Sequence, residues 1–212
     1  MLNSGNLEIW NMKILTVTGF KGGVGKSTTA IHLAAFLSRS GKTLLIDGDQ
    51  NRTSLKWAKR GNLPFQVVSE KESVKFIPSS EFIVIDTPAR PASDDLKELA
   101  TGCNLLILPS APDVLGLEAL LETATALQNA NYKALLTIVP PRPSREGELM
   151  LEELKAQNIP AFNSVIIRSA SFQKAALSGV PVYEIKTALA AMAWACYESF
   201  GNEVLEVLGG TV

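Results

Sequence analysis

The segment Lys21-Gly22-Gly23-Val24-Gly25-Lys26-Ser27-Thr28 constrains this chain more than any other, because of what stands on either side of it. Before it, Lys13-Ile14-Leu15-Thr16-Val17-Thr18 is β-branched and apolar, the composition of a strand buried on both faces. After it, Ser27 to Ser38 sets Ile31, Ala34, Ala35 and Leu37 on one helical face, and Gly41 closes the segment. A strand, a glycine-rich turn and a helix in that order let backbone N–H groups curl around a phosphate, to which the helix N-terminus adds partial positive charge. Three glycines permit the close curl, Lys26 is placed to hold the β and γ phosphates of a nucleotide, and the Ser27 hydroxyl is placed to ligate Mg²⁺. The general phosphate-loop pattern has glycine six positions before its lysine, where this chain has Phe20; a second lysine, Lys21, follows instead. A turn that merely joins strand to helix is the bland reading, and Gly-Lys-Ser at this register argues against it.

The rest of the chain repeats the alternation. Thr43-Leu44-Leu45-Ile46-Asp47 and Phe82-Ile83-Val84-Ile85-Asp86 are buried runs, each ending in aspartate. Short elements are predicted over Ser54 to Arg60 (helix) and Phe65 to Val68 (strand). Strands over Leu105 to Pro109 and Ala134 to Val139 flank a helix from about Leu115 to Asn129. A loop from Pro140 to Glu146, a helix ending near Gln157, a strand Ser164 to Ile167 and a helix from about Thr187 to Leu208 complete the series. The expected fold is α/β: a single-domain P-loop NTPase with a mostly parallel twisted sheet and helices on both faces. Ligands of such sheets bind outside the carboxyl ends of the strands, where the glycine loop, Asp47 with Asp49, and Asp86 all fall. Aspartates also cap helices and form turns, but two buried strands ending in acid beside a phosphate loop favour metal chemistry.

At 212 residues, 46% apolar and 19% charged, the chain suits one folded domain without linker or repeat. Its net charge of −1 restricts any nucleic-acid contact to a local patch. Cys103 and Cys196 match no metal-ligand spacing and read as packed thiols of a reducing compartment. Neither a membrane-length apolar run nor a leader pattern is seen, so the expected location is the cytoplasm. Residues 1–11, ahead of Met12, read as an extension, an upstream start or a cloning remnant, with the folded domain expected over 12–212.

With its lysine just before two glycines, the loop resembles the deviant Walker A motif of the ParA/MinD ATPases, and the resemblance runs over most of the chain from Met12 onward. It implies an ATPase using ATP and Mg²⁺, with the loop from Lys21 to Thr28 as the nucleotide cradle and Lys26 as its cation. It also implies that Lys21 reaches across a two-fold interface to the partner's ATP, making nucleotide the glue of a homodimer that hydrolysis releases. Asp47-Gly48-Asp49 resembles the family's first switch, which places Asp47 near the magnesium waters and assigns Asp49 to the attacking water. Gln50-Asn51 stands where the family has Pro-Gln, and Trp57 falls where short plasmid members carry a tryptophan. Asp86-Thr87-Pro88 resembles the Walker B strand end and second switch, adding Asp86 to the metal set with Ser27 and Asp47. Adenine would rest between the loops after the last two strands, at Pro141 and at Ile167 with Arg168.

The chain's last stretch, Glu203 to Gly210, is acidic, unlike the basic amphipathic helix by which MinD-type members reach membrane. The cysteines lack the context of a nitrogenase iron protein, and no operator-binding domain precedes the first strand. The short ParA group remains: ATPases that move plasmid DNA, or next to that a protein body such as the carboxysome, by ATP-dependent nonspecific binding to nucleoid DNA. A ParB-like or cargo-adaptor activator would stimulate hydrolysis. Candidate phosphate-contacting cations are Arg145, Arg168, Lys174 and Lys186, or alternatively Lys56, Lys59 and Arg60; any one of them also reads as a solvated charge. The competing class is an ATP-dependent small-molecule enzyme of the same superfold, such as a dethiobiotin-synthetase-like ligase, whose substrate pocket needs acid–base residues. The one histidine, His32, sits in the first helix, where packing or surface exposure is the default.

Overall fold

The computed structural model describes residues 12–19, 21–89, 93–127 and 130–209. The extension expected at 1–11, Phe20, and the end of the helix expected to reach Asn129 lie outside them. The elements are β1 (Lys13–Gly19), α1 (Lys26–Leu37), β2 (Thr43–Asp47), α2 (Thr53–Ala58), β3 (Gln66–Ser69), α3 (Glu70–Ser73), β4 (Phe82–Ala89), α4 (Ser93–Thr101), β5 (Leu105–Ser110), α5 (Val114–Ala126), β6 (Tyr132–Val139), α6 (Glu146–Ala156), β7 (Ala161–Ile167), α7 (Ser171–Ser178) and α8 (Ala188–Val207). Short 3₁₀ turns at Ile77–Ser79 and Val182–Glu184 join them.

The seven strands form one sheet in the order β3-β2-β4-β1-β5-β6-β7, and every pairing is parallel. Successive residues of a strand feed opposite faces. Leu105 and Ile107 enter the core under α1 and α8, whereas Leu106 and Leu108 enter the one under α4, α5 and α6. Register places Asp47 of β2 directly beside Asp86 of β4, so the two acidic strand ends meet at the carboxyl edge of the sheet. That edge also carries the phosphate loop, which follows β1 at the centre of the sheet.

Three helices escaped the sequence reading. α3 opens with a capping box, in which the Ser69 amide donates to Glu72 Oε2 at 3.3 Å, and the Ser69 hydroxyl donates to the same oxygen at 2.7 Å. α4 begins with two acids, Asp94 and Asp95, matched to the helix dipole. α7 stops at Gly179, whose φ of 68° only glycine adopts without strain. All three are short and mix polar with apolar residues, so their periodicity is thin.

A second correction concerns α1. The sequence suggests one apolar face, but the helix is buried nearly all round because α8 covers the side away from the sheet. Its polar residues therefore need internal partners. Thr29 lies 3.3 Å from the Tyr197 hydroxyl. His32, with none of its surface exposed, lies 2.7 Å from the Thr28 carbonyl through Nδ1 and accepts from the Val182 amide at 3.0 Å through Nε2. Because Nε2 is an acceptor, Nδ1 carries the proton and the ring is neutral. Tyr197 stacks on it at 4.7 Å, and Trp57 and Phe172 meet it edge-on.

Burial pushes the pKa of His32 down to about 4, only partly offset by the hydrogen bond to Thr28. The unfolded chain takes up the proton near 6.5, so the stabilisation from the neutral ring is complete above that pH and is lost as pH falls towards 4. The shift corresponds to roughly 3 kcal/mol. Denaturant unfolding of wild type and His32→Gln between pH 7.5 and 4 should show that extra slope in wild type alone.

Candidate nucleotide and metal site

The phosphate loop is shaped by backbone conformations that side chains resist. Gly23 has φ 80° and Gly25, the N-cap of α1, has φ 84°. The loop is fastened from behind by β6: the buried Thr137 hydroxyl lies 2.8 Å from the Val24 carbonyl and 3.2 Å from that of Ser110.

The two loop lysines have different environments. Lys26 is only 7% exposed, and its ammonium donates to the Lys21 carbonyl at 3.3 Å. Burial lowers its pKa, opposed by the charges of Asp86 and Asp49. Lys21 instead points outward and pairs with both oxygens of Asp113, at 3.0 and 3.1 Å. Asp113 also caps α5, accepting from the Gly116 amide at 2.7 Å. Beside it, Val114 and Leu115 are 71% and 63% exposed.

The aspartates also divide their tasks. Both carboxylate oxygens of Asp47 are taken by backbone amides, Asp49 at 3.1 Å and Leu55 at 2.9 Å. The Arg52 guanidinium donates to the Asp47 carbonyl from a backbone with φ 52°. Asp47 thus holds the switch loop through its side chain. Asp49, partly exposed, accepts from the Asn51 amide at 2.8 Å through one oxygen. Asp86 is fully buried, and its Oδ2 accepts from the Ser54 hydroxyl at 2.7 Å. Its Oδ1 has no hydrogen-bond partner among the described residues. Burial pushes Asp86 up to about 6; the Ser54 and Ser27 hydroxyls pull it down, and Asp47 and Asp49 repel it upward.

A buried, unsatisfied carboxylate oxygen near a loop serine suits a divalent cation completed by phosphate and water. No group of three or more His, Cys, Asp or Glu stands in ligating arrangement among the described residues, so a metal here depends on the nucleotide for the rest of its shell. At the other end of the edge, the Arg168 amide donates to the Val139 carbonyl at 2.8 Å, which brings the loop bearing Pro141 next to Ile167 and Arg168. The sequence reading missed Asp113, Thr137, Ser54 and Arg52. Each acts through a partner distant along the chain or through a backbone atom, which no local pattern announces.

The profile of the CobQ/CobB/MinD/ParA nucleotide binding domain matches residues 15–182 of this chain. The chain belongs to this family. The maintenance of carboxysome distribution protein A of Gloeobacter kilaueensis is 32% identical over 202 residues, covering 91% of this chain and 94% of that protein. Two solved structures share the MinD/ParA fold. An ATP complex of a Cyanothece McdA variant superposes with a TM-score of 0.70 at 18% identity, over 95% of this chain and 98% of that one. A Borrelia burgdorferi putative plasmid partition protein bound to AMPPNP gives 0.67 at 19% identity, over 91% and 99%. The chain is therefore a MinD/ParA-like ATPase by family.

Thr137→Val keeps the shape at β6 and leaves the Val24 carbonyl without its donor, a loss of about 1–2 kcal/mol. Isothermal titration should show nucleotide affinity reduced roughly five- to tenfold, while far-UV circular dichroism stays unchanged.

Proposed function

We propose that this chain is a short ParA-type positioning ATPase: two copies close on two ATP molecules, bind nucleoid DNA without sequence preference, and part when an activator protein stimulates hydrolysis. The observation that carries this reading is the division between the loop lysines. One cation is buried inside the cradle; the other is directed out of it, beside exposed apolar side chains, where only a second molecule could use it. A triphosphate enclosed between two protomers needs cations from both sides, because its charge is poorly screened once water is excluded.

In this reading Lys26 and the loop amides hold the triphosphate, and Lys21 leaves Asp113 to reach the partner's nucleotide. Ser27 and Asp86 would hold Mg²⁺, which when bound neutralises the phosphate oxygens. Asp47 keeps the switch loop in place; Asp49 orients the attacking water and takes its proton. Adenine would rest against the β6 and β7 ends at Pro141, Ile167 and Arg168.

For cargo we place a protein body such as the carboxysome ahead of plasmid DNA, reversing the order expected from sequence. The support is the carboxysome distribution relative, which spans nearly the whole chain, whereas the Rhizobium radiobacter protein ParA matches over 49% of it. The ligase alternative finds no support: both ring nitrogens of His32 are engaged in the core, leaving no histidine for acid–base work. No helix among the described residues is long and apolar enough to cross a membrane.

Light scattering with a nonhydrolysable ATP analogue tests the central claim. Wild type should double in mass, Lys21→Ala should bind nucleotide and remain monomeric, and Lys26→Ala should not bind. An ATP-dependent dimer of Lys21→Ala would overturn the reading. Asp49→Ala should lower phosphate release by about 10²-fold or more while the dimer persists, the size expected for loss of a general base.

A further inference from the structure

Two of the elements that flank the nucleotide site, α1 and α2, are tied into one stretch outside it, Ala176 to Val182. His32 joins the phosphate-loop residue Thr28 to the Val182 amide. Trp57, 3% exposed, donates its indole N–H to the Val180 carbonyl at 3.1 Å. The Arg60 guanidinium donates to the Ala176 carbonyl at 3.1 Å. Between these bonds the backbones of Gly61 and Gly179 touch. A Cβ at Gly61 would lie 2.3 Å from the Ser178 carbonyl, and one at Gly179 would lie 2.1 Å from the Gly61 nitrogen.

Trp57 belongs to α2, whose opposite end is bonded to the candidate metal site. Ser54 donates to Asp86, and the Leu55 amide donates to Asp47. A helix of six residues is only about 9 Å long and rigid, so a shift of its first turn is not absorbed along its length. Nor is it absorbed at the far end, where the glycine contact leaves no gap. Exposed cations ride on both coupled parts: Lys56, Lys59 and Arg60 on and just after α2, Lys174 on the adjoining α7. Lys59 and Lys75 both act on Glu72 of α3 through their charge. Two groups of cations that look separate in sequence thus partly merge. Arg145, by contrast, is paired with Glu148 on α6, and Lys186 lies 3.7 Å from Glu184.

We infer that α2 is a relay that carries the occupancy of the metal site to the Ala176–Val182 stretch and so gates a basic face, Lys56, Lys59, Arg60 and Lys174, that contacts a polyanion such as duplex DNA. Both halves rest on the nucleotide and metal site proposed above; the polyanion half rests in addition on the proposed DNA binding.

Hydrogen exchange and DNA binding on the full chain separate the two. With Mg²⁺ and a nonhydrolysable ATP analogue, amides of 176–182 should change protection in wild type. In Trp57→Phe, which keeps a ring but loses the N–H, that change should vanish while nucleotide still binds; Arg60→Gln supplies the same exchange test at an exposed position. In gel shifts over a salt series, Trp57→Phe should lose the difference between nucleotide-loaded and empty protein. The Lys56→Ala/Lys59→Ala double variant should lose tenfold or more in DNA affinity and about 2 in salt slope for each protomer in contact, with its exchange response intact. Exchange at 176–182 indifferent to nucleotide, or a Trp57→Phe response equal to wild type, overturns the relay. A double variant that binds DNA like wild type overturns the basic face. Wild type that shifts no DNA in any nucleotide state removes the DNA reading itself, and the exchange arm still decides the relay.

Discussion

A nearly buried ammonium that feels the charge of a buried carboxylate governs this structure. Lys26 and Asp86 each sit where water cannot solvate them, and a buried charge costs several kcal/mol unless it is compensated. The compensation is incomplete. Among the described residues Lys26 has one carbonyl within hydrogen-bonding distance and Asp86 Oδ1 has no partner, and burial drives the carboxyl up to about 6. The deficits are complementary to those of a magnesium triphosphate, whose anionic oxygens suit the lysine and whose cation suits the carboxylate. In the proposed function such a ligand would compensate both groups at once.

The sheet makes that arrangement possible. β1 lies centrally, with β4 on one side and β5 on the other, so its loop emerges where the neighbouring connections diverge. Parallel register then brings Asp47 and Asp86 side by side. Two acids at adjacent strand ends would repel each other without donors. The structure supplies amides and the Arg52 guanidinium to Asp47, and a serine to Asp86. One acid is thereby fixed as a staple of the switch loop, and the other is left an oxygen to offer.

Much of this was legible because it is local. The strand runs, the glycine loop and the acid-ended strands are each contiguous, and strong hydrophobic runs identify the sheet without any tertiary information. What was hidden depends on contacts between distant parts of the chain. Nothing near Asp113 indicates that it holds Lys21, 92 positions away. Nothing in His32 reveals that both ring nitrogens are engaged, one by a residue 150 positions on. α3, α4 and α7 were lost for a different reason: each is short and takes its stability from caps and packing more than from a long apolar stripe.

The strength of the Lys21–Asp113 pair shows why the outward lysine can serve a second molecule. Its side chains are 36% and 48% exposed, and pairs of that kind contribute only about 0–1 kcal/mol. A triphosphate offered by a partner carries more charge than one carboxylate and meets the lysine at an interface from which water is excluded, where the same separation is worth several times more. In the proposed dimer the ammonium would therefore exchange Asp113 for the partner's phosphates at little cost. Asp113 loses nothing structural, since it still caps α5 through Gly116. An exposed pair of this kind orients the cation and would not oppose the transfer proposed above, whereas a buried salt bridge in the same position would.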